Sequence, residues 1–196
     1  LHGLREWLHG HYRGVRRYSW LTGVPPIVLV FASSIGGFWL HWDQLGQYSA
    51  IASAETSVPI TNAYFVPDPQ LLDVLTAAAQ RGVDVRLILP SRTDSWLVFH
   101  AGRRYYARLL RAGVKIFERR GVILHSKTAL VDGVWATIGS TNLDWRSFLH
   151  NHELNAVVLG TEFGRQLQAL FDQDLAESQE ITLEVWRQRG LDLRVK

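Results

Sequence analysis

The chain has no cysteine, which excludes a disulfide framework and any thiolate metal site. It also lacks a long apolar run. The most apolar window, Ile27 to Leu40, is 14 residues long, short of the roughly 20 that a helix needs to cross a bilayer. Ser33-Ser34 and Gly36-Gly37 break that window as a helix, so a buried strand over Ile27–Ala32, followed by a loop, is expected. There is no low-complexity segment and no evident linker. His9 and His11 have no third ligand nearby, so no metal is expected there or elsewhere. The first apolar run comes late and has no small-residue cleavage site, so no signal peptide is expected. Residues 1–26 read as a poorly defined leader whose Trp and Arg residues could form an interfacial helix. Residues 27–196 read as the folded domain.

What is present is ordinary for a globular domain: 196 residues, 47% hydrophobic and 20% charged, enough for one proper core. The net charge of +3 hides a polarised distribution. Arg103, Arg104, Arg108, Arg111, Lys115, Arg119 and Arg120 face Glu118 alone in residues 101–120. Residues 153–184 are acidic, with seven carboxylates against Arg165. A basic run suits an anionic substrate or an anionic membrane surface, or is a solvated helix face.

The local grammar points to an α/β sheet. A helix over Leu45–Glu55 is followed by a strand over Val58–Phe65. Asp68-Pro69 supplies an N-cap carboxylate and a first-turn proline for a helix ending at Arg81. Gly82 stops it, and a strand follows over Val83–Leu89. The pattern repeats with a helix over 102–112, Gly113, and a strand over Val114–Phe117. Helix, glycine, strand in succession argues for crossover units. Ser91–Phe99 reads as a loop that could cover a cleft. Later elements are a helical turn over Leu143–Leu149, a strand over Glu153–Leu159, an amphipathic helix with Phe163, Leu167, Leu170, Phe171 and Leu175 on one stripe, and a short helix over Ile181–Arg189.

The densest signal is His125 to Asn142, H-S-K-T-A-L-V-D-G-V-W-A-T-I-G-S-T-N. It fixes His125, Lys127, Asp132, Gly139, Ser140 and Asn142, six positions whose chance coincidence is on the order of 10⁻⁸ per starting point. Alternation of Ile123, His125 and Lys127 suits a strand with one face on a cleft. Asp132-Gly133 reads as a hairpin turn into Val134–Ile138. A neutral imidazole can attack phosphorus, an ammonium can stabilise phosphoryl oxygens, and Ser140 and Asn142 can add hydrogen bonds to them. A carboxylate is needed to orient the ring.

That pattern resembles the HKD motif of the phospholipase D superfamily. Further stretches resemble the C-terminal half of bacterial cardiolipin synthases of the type-B branch: A-Y-F-V-P-D-P at 63–69, R-G-V-D-V-R-L-I-L-P at 81–90, A-G-V-K-I-F-E at 112–118 and L-D-W-R-S-F-L-H-N-H-E-L-N at 143–155. The resemblance implies a mixed β-sheet flanked by helices, bearing one HKD copy. It also implies phosphatidyl transfer through a phosphohistidine to phosphatidylglycerol, with release of glycerol and without metal or cofactor. Within the implied catalytic set of His125, Lys127, Asp132 and Glu153, Glu153 is the candidate carboxylate for the ring. Asp132 is expected to tie the hairpin to its surroundings. Tyr64, Phe65 and Pro67 become candidate substrate-facing residues beside Ser140 and Asn142.

The chain departs from the resemblance in one respect: no histidine other than His125 has a lysine two residues on. A site needing two histidines therefore requires a second copy of this chain or another HKD-bearing half. The resemblance also implies anionic phospholipid, chiefly phosphatidylglycerol, and a membrane surface as partners. It gives a peripheral location on the bacterial cytoplasmic membrane. Two other readings use the same residues. One is a dimeric phosphodiesterase or nuclease with water as acceptor, for which Arg103, Arg104, Tyr105 and Tyr106 would form a stacking groove. The long lipid-enzyme stretches argue against nucleic acid. The other is an inactive half-enzyme or a membrane- or partner-binding module.

Overall fold

The computed structural model describes residues 9–10, 25–31 and 45–188. Backbone contacts divide the chain into two compact units, Leu1–Trp42 and Asp43–Lys196. In the first unit, residues 25–31 are helical, and Ile27, Val28, Leu29, Val30 and Phe31 are exposed. This corrects the expected buried strand. Pro25 and Pro26 lack the N–H groups that a strand must donate, and they fit the first turn of a helix. The loop expected after Ala32, and most of the expected leader, lie outside the described residues.

The second unit is a mixed α/β layer structure, as its helix-glycine-strand grammar predicts. In chain order it comprises α1 (Leu45–Ser53), β1 (Ser57–Asn62), β2 (Phe65–Val66), α2 (Pro69–Gln80), β3 (Asp84–Pro90), α3 (Trp96–Arg103), α4 (Tyr106–Ala112), β4 (Lys115–Arg119), β5 (Lys127–Val131), β6 (Trp135–Gly139), β7 (Leu143–Asp144), α5 (Trp145–Leu149), β8 (Asn155–Leu159), α6 (Thr161–Ala176), β9 (Ser178–Ile181) and α7 (Leu183–Gln188). Seven strands form one sheet in the order β8-β6-β5-β1-β3-β4-β9, and β2 pairs with β7 beside it. The strands β1, β3 and β4 run parallel. Around them, β5, β6, β8 and β9 are antiparallel.

Alternation along the central strands feeds two cores. Val85, Leu87 and Leu89 of β3 join Val58, Ile60 and Ile116 beneath Leu71, Leu72 and Leu75 of α2. Ile88 points the other way, to Leu124 and Phe171, and Leu130 and Ala136 meet Leu167. Burial on both faces is why β3 reads as an almost continuous apolar run. As expected, Asp68 caps α2, its Oδ1 accepting from the Leu71 N–H at 2.8 Å.

Several local expectations need correction. Val58–Phe65 is two strands, because the Asn62 carboxamide accepts from the Tyr64 N–H at 3.2 Å and turns the chain. Trp96–Phe99 belong to α3, not to a loop. Glu153 and Leu154 precede β8, Leu143–Asp144 form β7, and Ser178–Ile181 pair with β4. On α6, Leu167 and Phe171 are buried while Leu170 is 59% exposed. The basic stretch is largely absorbed by the fold: Arg103 pairs with Glu118, Arg108 with Asp73, Lys115 with Asp84, and Arg119 with Asp174 and Glu177. Tyr106 is buried against Trp186, so the stacking groove does not form.

Candidate active site

The hairpin β5–β6 organises the site. Both residues of its turn have positive φ, Asp132 at 51° and Gly133 at 69°, the geometry that suits Asp-Gly between two strands. The Asp132 carboxylate accepts from the backbone N–H groups of Glu55, Thr56 and Ser57 and from the Thr56 hydroxyl, at 2.8 to 3.3 Å. It therefore ties the turn to the start of β1, away from the catalytic set in which the resemblance includes it. Asp132 lies at the opposite end of β5 from Lys127, about 17 Å away along the strand.

At that other end, Lys127 opposes Asn62 of β1, and Gly139 opposes Asn155 of β8. His125 is not on a strand, because β5 begins only at Lys127. The chain is irregular there, and the buried Lys127 Nζ donates to the His125 carbonyl at 2.8 Å. His125 itself is exposed, and its ring has no hydrogen-bond partner among the described residues. The Ser140 hydroxyl accepts from the Leu154 N–H at 3.0 Å. The carboxamide oxygen of Asn142 is buried without a partner, so it is the Nδ2 end of that amide that could donate to a ligand in the cavity the residue lines.

His125, Lys127, Ser140 and Asn142 line one open cavity of about 670 Å³, and Ile138, Gly139, Leu154, Asn155 and Ala156 complete its wall. Gly139 is there for room. A Cβ at that position would lie 1.9 Å from Asn155 Oδ1 and 2.4 Å from the Leu154 carbonyl. Asn155 in turn donates to the Thr141 hydroxyl at 2.8 Å. Asn155 and the buried Asn62, whose oxygen accepts from the Leu143 N–H at 3.1 Å, are site-building residues that motif reasoning passed over. The Asn155 signal was its place at the end of N-H-E-L-N.

Two charged groups interact electrostatically at this site, Lys127 in the cavity wall and Glu153 beside it. Burial lowers the Lys127 pKa and the charge of Glu153 opposes that shift. For Glu153, burial acts against the charged form. The Ser140 hydroxyl, the Asn151 amide and the Lys127 charge outweigh it and hold the carboxyl below its usual value. Glu153 accepts from Asn151 Nδ2 at 3.1 Å. Its recorded partners are thus around Ser140 and Lys127, not the His125 ring.

Tyr64 and Phe65 sit elsewhere. Phe65 is buried, and Gly102 packs so closely that an added Cβ would lie 2.1 Å from the Phe65 carbonyl. Tyr64 donates to the Asp94 carboxylate. Both line a separate, small cavity with Thr93, Phe99 and Arg103, so neither faces the His125 cavity. Among the described residues there is no cluster of His, Asp and Glu able to hold a metal ion.

The mixed sheet and its flanking helices are similar in fold to a solved structure of the phospholipase D class. The structure of Nuc from Salmonella typhimurium, a phospholipase D family member, superposes with a TM-score of 0.61 at 23% identity, covering 69% of this chain and 88% of that one. That likeness is one of fold. The family is given by sequence: the model described as "Cardiolipin synthase, PLD-like domain" matches residues 48–175, and the chain belongs to this family. A cardiolipin synthase of Geobacillus sp. (strain WCH70) is 45% identical over 148 residues, 76% of this chain and 30% of the relative. One from Halalkalibacterium halodurans is 43% identical over 200 residues, 98% of this chain and 39% of the relative. The chain thus spans well under half the length of these relatives.

Proposed function

We propose that this chain supplies one half of a phosphatidyltransferase site of the cardiolipin synthase type. His125 attacks the phosphorus of one phosphatidylglycerol, forming an N–P bond as the P–O bond to glycerol breaks. A hydroxyl of a second phosphatidylglycerol then attacks phosphorus, breaks the N–P bond and yields cardiolipin. Lys127, held at the cavity wall, stabilises the phosphoryl charge, with Ser140 and Asn142 as neutral donors. Glu153 keeps Lys127 charged and Ser140 oriented. The observation that carries this reading is the convergence of His125, Lys127, Ser140 and Asn142 on one open cavity.

Glycerol leaves with a proton, and a second histidine is the natural general acid. We place that histidine on a second HKD-bearing half, either another copy of this chain or another part of a longer one. The cavity opens beside the first residues of the edge strand β8. The enzyme acts peripherally at the bacterial cytoplasmic membrane. Among the described residues, no helix is long and apolar enough to cross a membrane.

The test is phosphatidyl transfer in detergent–phosphatidylglycerol micelles, with the chain and its His125→Ala variant run beside each other and their self-association measured. Cardiolipin from the wild type alone supports transfer by a self-assembled site. Phosphatidate in place of cardiolipin would move the acceptor to water. No product from a folded chain that stays monomeric would make it a half-enzyme needing its partner. Equal product from both proteins would remove His125 from the mechanism.

A further inference from the structure

The sheet end that carries the site also carries four exposed apolar side chains on two segments, of which Trp96 is touched on one side by the His100 ring. Pro90 of β3 and Arg119 of β4 are register partners, so the segments leaving these parallel strands start side by side at that end. The first leads to Trp96 and Leu97, 57% and 72% exposed, at the start of α3. The second is the segment before His125. It turns at Gly121, φ 78°, and raises Val122 and Ile123, 51% and 71% exposed. Moving apolar side chains of this size out of water is favourable. Four of them left in water beside a cavity call for a cover.

Charge indicates what kind of cover. Of the carboxylates at this end, Asp174 and Glu177 are ion-paired with Arg119, while Asp94, Asp144 and Glu153 keep their charge but are turned into the fold by hydrogen bonds from Tyr64, the Ser147 N–H and Asn151. The arginines beside the apolar groups are exposed, and no ion pair forms on them among the described residues. Arg92 precedes Trp96–Leu97, and Arg120 precedes Val122–Ile123. An apolar protrusion next to an unpaired guanidinium matches a surface with an oily interior and anionic headgroups. Separate protrusions on two segments, instead of one flat patch, suit a fluid surface better than a rigid protein partner.

We propose that Trp96, Leu97, Val122 and Ile123 form a rim that inserts into an anionic lipid surface, with Arg92 and Arg120 on the headgroups. The His125 cavity then faces the lipid from which its substrate comes. This rests on the lipid reading above and extends it by naming the surface and its orientation. With the rim inserted, a phosphatidyl group reaches His125 without leaving the interface.

Because the chain has no cysteine, Leu97→Cys, Ile123→Cys and Leu159→Cys can each carry one environment-sensitive fluorophore. Leu159 is equally exposed but pairs with Trp135 at the far end of the sheet. On phosphatidylcholine vesicles containing roughly one-third phosphatidylglycerol, labels at 97 and 123 should shift to the blue and be quenched by lipid-borne spin labels. The label at 159 should do neither. Binding to neutral vesicles should be about tenfold weaker or less. Vesicle-bound protein with unquenched labels at 97 and 123 overturns the proposal, as does an absence of vesicle binding. A blue shift on self-association without lipid also overturns it, in favour of a protein interface. Transfer measured on short-chain, monomerically dispersed phosphatidylglycerol separates the two ideas. Turnover there with unquenched labels removes the rim and leaves the chemistry, whereas quenched labels without turnover leave the rim and remove the chemistry.

Discussion

At one end of the β5–β6 hairpin the Asp132 carboxylate takes hydrogen bonds from Glu55, Thr56 and Ser57, and both of its oxygens are engaged. At the other end the His125 ring is exposed and the Asn142 oxygen is buried without a partner. Both ends belong to one motif, yet they are built to different ends. A satisfied polar network fixes the register of the hairpin, and the energy gained there tolerates an unsatisfied cluster about 17 Å away. The same comparison separates the two carboxylates. Asp132 holds backbone, while Glu153 sits by Lys127 and Ser140 in the electrostatics of the cavity.

Mutations at the two ends should therefore fail differently. The largest effect is expected for His125→Ala, with transfer falling by about 10³-fold or more while circular dichroism and Tm stay unchanged. Lys127→Ala should cost about 10²–10³-fold in kcat, with a smaller loss in substrate binding, because the ammonium acts mainly on developing charge. Equal stability loss in both variants, with kcat intact, would break the comparison.

Asp132→Ala should do the reverse. Removing an acceptor shared by four donors should lower unfolding free energy by about 2–3 kcal/mol in denaturant titration, with kcat per folded molecule retained. Gly139→Ala sits between the ends and should damage both properties. Its Cβ cannot coexist with the Leu154 carbonyl, so β8 must shift, costing about 1–3 kcal/mol and altering the cavity wall.

The smallest effect concerns pH. Burial alone would raise the Asp132 pKa, but the N–H groups of Glu55, Thr56 and Ser57 bring it below the ordinary value of 3.8. A carboxyl lowered in the folded state gives stability that is fully present above its unfolded pKa. That stability is lost as pH falls through the folded value. Wild type should therefore lose its advantage over Asp132→Ala only in acid below that window. An advantage that disappeared near neutrality would contradict the assignment.

Much of this was legible in the chain. Asp68-Pro69, Gly82 and Gly113 punctuate helix and strand locally, so the crossover units could be read without tertiary information. The turn at Asp132-Gly133 and the site-lining role of Lys127, Ser140 and Asn142 followed from spacing. What could not be read depended on partners distant in sequence. Alternation through Ile123, His125 and Lys127 looked like a strand, but β1 ends at Asn62, opposite Lys127, so no neighbour extends the pairing to His125. Ser178–Ile181 became a strand only because β4 left an edge to fill. Tyr64 and Phe65 are drawn away from the cavity by Asp94 and by Gly102.

The most direct test of the central claim is capture of the covalent intermediate. Wild type, supplied with any second half it proves to need, would be incubated with phosphatidylglycerol labelled at phosphorus. Quenching in alkali preserves a phosphohistidine, and digestion locates the label. The account predicts label on the peptide containing His125 and none in His125→Ala. Cardiolipin formed by wild type with no label at any time on His125 would contradict it.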